Sequence, residues 1–355
     1  MTFENYVLHL LGTIENYPSK IQKHLLKLFV DEGIAQAQQQ MSLGSENSID
    51  VTDLELAGQV KKCIKNSTKA IKLFEKWEFE KDYKYSTLLE ADNFDETIKK
   101  AESISMSDED TFENTIITES LTAPTRYEYN DLLILKFSLK YSAIHNLSGE
   151  EILIKYPVLV VLHKSENLIE FRFDALKRVF LSEKREQTVY LDLIRELEMY
   201  CETQLECKIK PLDLDFLISQ TKKQSDARLM AEYKKLPSGG NAQLEVGKNE
   251  EYVLPIIGEL KEILKKHVVE LEKTPVLKEA LDQFIFENDE LSDYSWIEVL
   301  WENEIKTRNV NVKFIFNYKN SEYCLLQHYY NVLIGMERMN NVVKFISDHK
   351  PPERD

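Results

Sequence analysis

Long apolar runs are missing from this sequence. No window approaches the roughly 18 consecutive apolar residues that a membrane-spanning helix needs, so no membrane partner is expected. The N-terminal stretch MTFENYVLHLLGTIENYP has neither a basic start nor a small-residue cleavage site, and it does not predict a signal peptide. Cysteine is also scarce, with four in 355 residues, which favours reduced thiols and a cytoplasmic location.

Glycine and arginine are scarce as well. None of the ten glycines belongs to a GxGxxG pattern, and the Gly247-Lys248 pair has Ala242 where a phosphate-binding P-loop requires glycine. Arginine, the residue best suited to bidentate phosphate contacts, occurs nine times against 36 lysines. Together with a net charge of −16, this composition argues against a surface built throughout for nucleic acid. No cofactor is expected.

Hydrophobic periodicity predicts an α+β fold, in which an N-terminal helical region precedes two regions that each combine an antiparallel hairpin with a helix (ββα-like). Apolar and polar residues alternate at 133–141, 169–173 and 310–318, as in half-buried strands. Changes of composition suggest five segments: a helical domain (1–89), an acidic linker (90–113), an α+β domain (114–235), a flexible connection (236–251) and a C-terminal α+β domain (252–355).

One candidate site is a row of lysines on a helix predicted over residues 52–77. The helix begins with the capping-box spacing of Thr52 and Glu55. Its apolar residues lie on one side and its lysines on the other, namely Lys62, Lys65, Lys69, Lys72 and Lys76. Such a row could bind an acidic protein or a nucleic-acid backbone. The alternative is a solvated face opposite a buried one, which is normal for helices.

A second candidate site is a charged strand face formed by Glu170, Arg172 and Asp174. Residues two apart on a strand point to the same side, and these three could pair across strands with Lys136 and Lys140. The pattern favours an exposed, salt-bridged sheet surface over a reaction centre.

Catalytic motifs are weak. The triplet Glu304-Ile305-Lys306, with Asp293 upstream, has the letters of a metal-dependent nuclease. The apolar residues around it are nevertheless spaced as in a helix, on which residues two apart point away from each other. A zinc site would have to use Cys201, Cys207, Cys324 and His328, but no CxxC pair supports one. No catalytic or metal-binding residue is therefore predicted.

Two hypotheses for function follow. The first is a non-enzymatic protein-interaction or adaptor subunit of an intracellular complex, whose partner is another protein subunit. The second is a nucleic-acid-directed component, either a divergent metal-dependent nuclease or a DNA-binding protein, of a bacterial defence or mobile-element system. The lack of catalytic motifs and the acidic composition favour the first, whereas the lysine row and the Glu-x-Lys triplet favour the second.

Overall fold

The computed structural model describes most of the chain, namely residues 2–36, 48–106, 117–144, 149–181, 187–222, 227–246, 254–302, 309–330 and 332–352. The chain forms two compact units. The first comprises Met1–Lys210 with Leu333–Asn340, and the second comprises Pro211–Val332 with Asn341–Asp355. Both units contain helices and antiparallel strands, which confirms the α+β class.

These units divide the chain differently from the five predicted segments. The segment 90–113, predicted as an acidic linker, contains a helix at Phe94–Glu102. The segment 236–251, predicted as a flexible connection, contains a strand at Asn241–Glu245. The predicted boundaries mark changes of composition, whereas the compact units are set by which strands and helices pack together.

The first unit combines a helical layer with a sheet. Its helices are α1 (Phe3–Asn16), α2 (Ser19–Asp31), α3 (Leu56–Asn66), α4 (Thr68–Glu80), α5 (Phe94–Glu102) and α6 (Val189–Gln204). Its strands are β1 (Ala35–Gln36), β2 (Ile49–Asp50), β3 (Tyr85–Ala91), β4 (Ile117–Thr118), β5 (Thr125–Tyr129), β6 (Leu132–Ile144), β7 (Glu151–His163) and β8 (Leu168–Phe173), and β9 (Ile209–Pro211) ends at the unit boundary. The strands β3, β8, β7 and β6 form an antiparallel sheet in that order, and β4 and β5 both pair with β6.

The predicted hairpin of the middle region is present as β7 and β8. Leu162 lies opposite Ile169 in an antiparallel register. Asn167 closes the turn with a φ of 54°, a left-handed conformation that asparagine adopts more readily than most residues. This hairpin lies at the centre of the sheet because β8 also pairs with β3 and β7 also pairs with β6. Both of its strands are buried along most of their length.

Helix α1 packs against the half of β7 that β8 does not reach. The Thr13 hydroxyl accepts a hydrogen bond from the Lys155 amide at 2.8 Å and lies 3.0 Å from the Lys155 carbonyl oxygen. Gly12 faces the same strand so closely that a Cβ there would lie 1.9 Å from the Leu153 carbonyl oxygen. The helix therefore covers an edge that would otherwise present unpaired backbone groups.

The helix predicted over residues 52–77 is two helices. The chain is extended at Ser67 (φ −142°, ψ 115°), and the Ser67 hydroxyl accepts a hydrogen bond from the Ala70 amide at 3.2 Å as the N-cap of α4. The predicted capping box does not form, because the Thr52 amide and hydroxyl both donate to Asp50 Oδ1, at 3.0 and 2.9 Å. Serine favours N-cap positions. Here Ser67 starts a new helix, although the helical spacing of apolar residues continues on both sides of it.

The second unit is built on an antiparallel sheet in the order β11, β10, β12, β13 and β14. These strands are β10 (Ala227–Lys235), β11 (Asn241–Glu245), β12 (Asp293–Trp301), β13 (Val310–Ile315) and β14 (Leu325–Tyr329). The helices are α7 (Phe216–Thr221), α8 (Ile257–Lys266), α9 (Val268–Glu272), α10 (Pro275–Ile285) and, from its second turn, α11 (Glu337–His349). The predicted C-terminal hairpin is present as β13 and β14.

The helix predicted around Trp296 and Trp301 is wrong, because these residues lie in β12. Their spacing fits a helix, but the segment is rich in aromatic and β-branched residues, which favour strands. β12 also pairs on both sides, with β10 and with β13. Pairing with two neighbours outweighs the local helical period.

Among the described residues, no helix has the length and apolar character needed to cross a bilayer. All four cysteines are buried, and no disulfide joins them. Burial raises the pKa of the Cys63 thiol to about 11 and raises that of Cys201 further. Both thiols therefore stay protonated and unreactive near neutral pH.

Replacing Gly12 by Ala should destabilise the protein, because the new Cβ would collide with the Leu153 carbonyl and force α1 away from β7. Overpacking of this kind costs about 1–3 kcal/mol. The matched control is Gly58→Ala in α3, where a Cβ meets nothing closer than 3.5 Å. There the better helix propensity of alanine should raise the free energy of unfolding by up to about 1 kcal/mol. Urea unfolding measures both, and equal stabilities of the two variants would contradict the packing described.

Candidate functional site

The predicted lysine row is divided between two helices, with Lys62 and Lys65 on α3 and Lys69, Lys72 and Lys76 on α4. All except the half-buried Lys72 are exposed. Lys62 Nζ donates to the Asp50 carbonyl oxygen at 2.7 Å, and Lys69 forms an ion pair with Glu32 at 3.1 Å. The break at Ser67 means that the five lysines do not form one continuous helical face.

Glu170 and Arg172 of the predicted charged strand face are buried, so the assignment of this face as an exposed surface is wrong. Glu170 Oε2 accepts hydrogen bonds from Arg172 Nε at 2.9 Å and Nη2 at 2.6 Å, and it lies 2.9 Å from His163 Nε2. Burial would raise the pKa of Glu170, but Arg172 and His163 outweigh burial and lower it to about 2. Asp174 lies just after the strand, where it accepts from the Lys84 amide at 3.1 Å.

The predicted pairing of this face with Lys136 and Lys140 is also wrong. Lys140 lies 3.9 Å from exposed Glu119. Lys136 belongs to a different cluster, in which its ammonium lies 2.6 Å from Glu75 Oε2 and 3.2 Å from Glu78 Oε2. Its partners come from a helix because α4 packs across the face of the sheet that carries Lys136.

Four charged side chains, Glu75, Glu78, Lys136 and Lys155, form the buried α4 cluster of the first unit. Their side chains are 0% exposed. Lys155 lies 2.6 Å from Glu78 Oε2 and also binds Glu75, which accepts a further hydrogen bond from the Tyr6 hydroxyl. The i, i+3 spacing of the glutamates places both on one face of α4. The two lysines come to lie opposite them only because β6 and β7 are paired in the sheet.

Two members of the α4 cluster, Glu75 and Lys155, have pKa values shifted in the direction that keeps them charged. Burial would raise the pKa of Glu75, but Lys136 and Lys155 lower it to about 2. Burial would lower the pKa of Lys155, but Glu75 and Glu78 raise it. Because the side chains are sealed from solvent, the arrangement positions α4 on the sheet and offers no substrate access.

A second cluster lies in the second unit around Asp289. Asp289 Oδ1 lies 2.7 Å from Lys222 Nζ and 3.2 Å from Lys234 Nζ, and Oδ2 lies 2.5 Å from Lys261 Nζ. The Tyr294 hydroxyl donates to Asp289 Oδ1 at 2.8 Å. Burial would raise the pKa of Asp289, but the three lysines hold it well below its usual range.

The Asp289 cluster contains a Glu-x-Lys triplet that sequence reasoning missed. Glu232 and Lys234 are two apart on β10 and on the same face, and their side chains meet at 2.7 Å. The triplet chosen from the sequence, Glu304-Ile305-Lys306, lies outside the described residues. The alternation of Ala227, Leu229 and Ala231, all buried in β10, was the sequence signal that could have singled out this strand.

No metal site was found in the described part of the chain. No three His, Cys, Asp or Glu side chains there converge on a point that could hold an ion. The candidate zinc residues Cys201, Cys207, Cys324 and His328 are all described and buried. They do not form such a group.

The most unusual surface is a helical excursion of the second unit, residues 256–291, which we call the arm. Near its start Ile257 is buried, and near its end Asp289 is buried. The contact between Lys261 and Asp289 shows that its two ends meet at one root. No residue of α9 or α10 is buried.

Large apolar side chains cover the outside of the arm. Val276 is 80% exposed and Val269 is 63% exposed. The exposed apolar residues are Ile256, Ile263, Val268, Val269, Val276, Leu277, Phe284, Phe286 and Leu291. Monomeric proteins rarely expose contiguous apolar patches of more than a few hundred Å². This segment falls in the predicted C-terminal α+β domain, and nothing in the sequence indicated that its apolar side chains would be exposed.

Comparison with known proteins adds no assignment, because no protein-family model and no curated protein sequence matches the chain. The geometry of the described residues is therefore the basis for a functional proposal. That geometry consists of buried charged groups around Glu75, Glu170 and Asp289 and of one arm with exposed apolar side chains.

Replacing Glu75 by Gln should destabilise the protein strongly at pH 7, by about 3–5 kcal/mol, because it leaves Lys136 and Lys155 buried with one carboxylate fewer. The folded-state pKa of about 2 lies below the ordinary value of 4.5. Glu75 therefore contributes its full stabilisation above about pH 4.5, and this is lost as the pH falls towards 2. The free energy of unfolding of the wild type should fall over that range, and more steeply than in the variant.

Denaturant unfolding at a series of pH values measures both effects. The matched control is Glu15→Gln, which removes an exposed carboxylate that also pairs with a lysine, Lys61. An exposed pair of this kind contributes at most about 1 kcal/mol. If the Glu75 and Glu15 variants behaved alike at pH 7, the α4 cluster would not have the role described.

Proposed function

We propose that the protein is a non-enzymatic interaction or adaptor subunit of a cytoplasmic complex, and that the arm is its docking surface. The observation that carries this proposal is the apolar exposure of α9 and α10, in which no residue is buried. Keeping such side chains in water forgoes about 25 cal/mol for each Å² of apolar surface. An interface with a partner would recover this free energy.

The burial of the charged clusters supports a role without chemistry. A reaction centre needs perturbed side chains that a substrate can reach. Glu75 and Glu170 have strongly lowered pKa values, yet both side chains are sealed. Structural ion pairs perturb pKa values in the same way, and here the ion pairs join a helix to a sheet or two neighbouring residues of a strand.

The partner that fits the arm is a protein. Residues 279–291, which include the end of α10, contain five acidic residues and no lysine, so this part of the surface repels a phosphate backbone. Its aromatic residues, Phe284 and Phe286, are of the kind enriched at the centres of protein interfaces. An apolar protein surface with basic residues at its rim complements it.

Changing Val276 and Leu277 together to Asp should weaken binding without unfolding the chain, since both side chains are more than half exposed. Tagged and untagged full-length chains would be expressed together in the native host and isolated under mild conditions. Mass spectrometry would identify bound proteins, and each would then be purified and its binding measured directly. We expect at least tenfold weaker binding by the arm variant.

The matched control is Met199→Asp in α6, at a side chain that is also exposed and apolar but lies in the first unit. It should bind as tightly as the wild type, with unchanged melting temperature in both variants. The proposal is wrong if the wild type binds neither itself nor another protein, or if the arm variant binds as the wild type does.

A nucleic-acid-directed component of a bacterial defence or mobile-element system is the second candidate. One observation favours it: Glu232, Lys234 and Asp289 are adjacent, as in nucleases that bind a divalent ion between carboxylates, and Glu232 Oε2 is buried without a hydrogen-bond partner. Two observations weigh against it. Glu232 and Lys234 are 1% exposed, and three lysines already neutralise Asp289.

Adding Mg²⁺ or Mn²⁺ should therefore produce no cleavage of single-stranded or duplex DNA or RNA by the purified chain. The comparison is with Glu232→Gln, which preserves the shape of the side chain and removes its charge. Metal-dependent cleavage by the wild type that the Gln variant lacks would replace the interaction proposal with the nuclease alternative.

A further inference from the structure

Charge is distributed unevenly along the arm. Residues 265–278, the part farthest along the chain from the root, contain four lysines and two acidic residues. Residues 279–291, which return to the root, contain five acidic residues and no lysine. Lys265 and Lys266 form the last turn of α8, so one end of the arm is basic and the returning segment is acidic.

We infer that the occupant of the arm is the arm of a second copy of this chain, packed antiparallel about a two-fold axis. This inference rests on the proposed function and names its partner. In such a dimer the distal end of each arm lies beside the root of the other. Each basic end then meets an acidic returning segment, and symmetry repeats the pairing.

The same arrangement covers the apolar side chains. The distal end carries Val268, Val269 and Val276, and the returning segment carries Phe284 and Phe286. In the antiparallel pairing the valines of one copy pack on the aromatic residues of the other. A parallel pairing would instead place basic ends together and acidic segments together, which is unfavourable.

The root prepares the arm for this contact. Lys261 in α8 and Asp289 at the end of the arm are joined at 2.5 Å, and Asp289 is held in turn by Lys222. These contacts fix both ends of the excursion on the second unit. An arm fixed before binding loses less conformational freedom on association, which favours affinity.

The test is a pair of charge reversals on the full-length chain, at exposed positions that the Asp289 cluster does not use. The first variant is Lys265→Glu with Lys266→Glu, and the second is Asp282→Lys with Glu287→Lys. Each variant alone brings like charges together and should raise the dimer dissociation constant at least tenfold. Mixed together, the two variants have opposite charges at both contacts and should form a heterodimer close to wild-type affinity.

Analytical ultracentrifugation from micromolar to hundreds of micromolar protein measures these constants, and circular dichroism checks that each variant remains folded. High salt should weaken the wild-type dimer. A wild type that stays monomeric, or a mixture that does not associate better than its components, overturns the inference.

The two proposals can fail separately. If the wild type is monomeric but Val276→Asp with Leu277→Asp releases a different bound protein, the second copy is the wrong occupant and the interaction function stands. If the wild type dimerises and that variant does not alter the dimer, the arm is not the dimer interface and this inference fails. The interaction proposal fails as well if the variant also binds every other partner as the wild type does.

Discussion

The contact between α4 and the sheet of the first unit is the constraint on which that unit depends. Glu75 and Glu78 meet Lys136 and Lys155 with no solvent access. Removing four charges from water is costly, and close pairing with additional hydrogen bonds is what offsets the cost. An apolar contact would tolerate sliding of α4, whereas these charges are compensated in one register only. The helical layer and the strands β6 and β7 are thereby held in a fixed relation.

The second unit uses charge for a different purpose. Its cluster places three lysines and a tyrosine around Asp289, and two of its members, Lys261 and Asp289, belong to the arm. The cluster therefore anchors a segment that buries almost nothing of its own. A segment that is anchored but exposed is suited to forming an interface. Its conformational entropy is already reduced within the subunit, so less is lost when a partner binds. The ion pairs around Asp289 and the exposed apolar surface of the arm thus have complementary roles in this unit.

The buried carboxylates and the arm bear on the proposed function in different ways. Perturbed carboxylates often mark active sites, and a reading of pKa shifts alone would have chosen Glu75, Glu170 or Asp289. Their burial and their lysine or arginine partners explain the shifts as structural. The arm differs from these clusters because its large apolar side chains lie exposed to water, and burying them against a partner is a physical requirement that the chain alone does not meet. The proposed adaptor role follows from that requirement.

The sequence by itself determined the α+β class and the hairpins β7–β8 and β13–β14, because each depends on local periodicity or local turn chemistry. It did not determine β12, where pairing on both sides overrides helical spacing, or the break at Ser67. The sequence placed Glu170 and Arg172 on one strand face but could not show that this face is buried. Alternation assigns residues to the two faces of a strand, but it does not say whether a helix or another strand covers the polar face. The α4 cluster, the Asp289 cluster and the uncovered arm were decided by tertiary structure alone, because residues distant in sequence meet only when the sheet and helices pack.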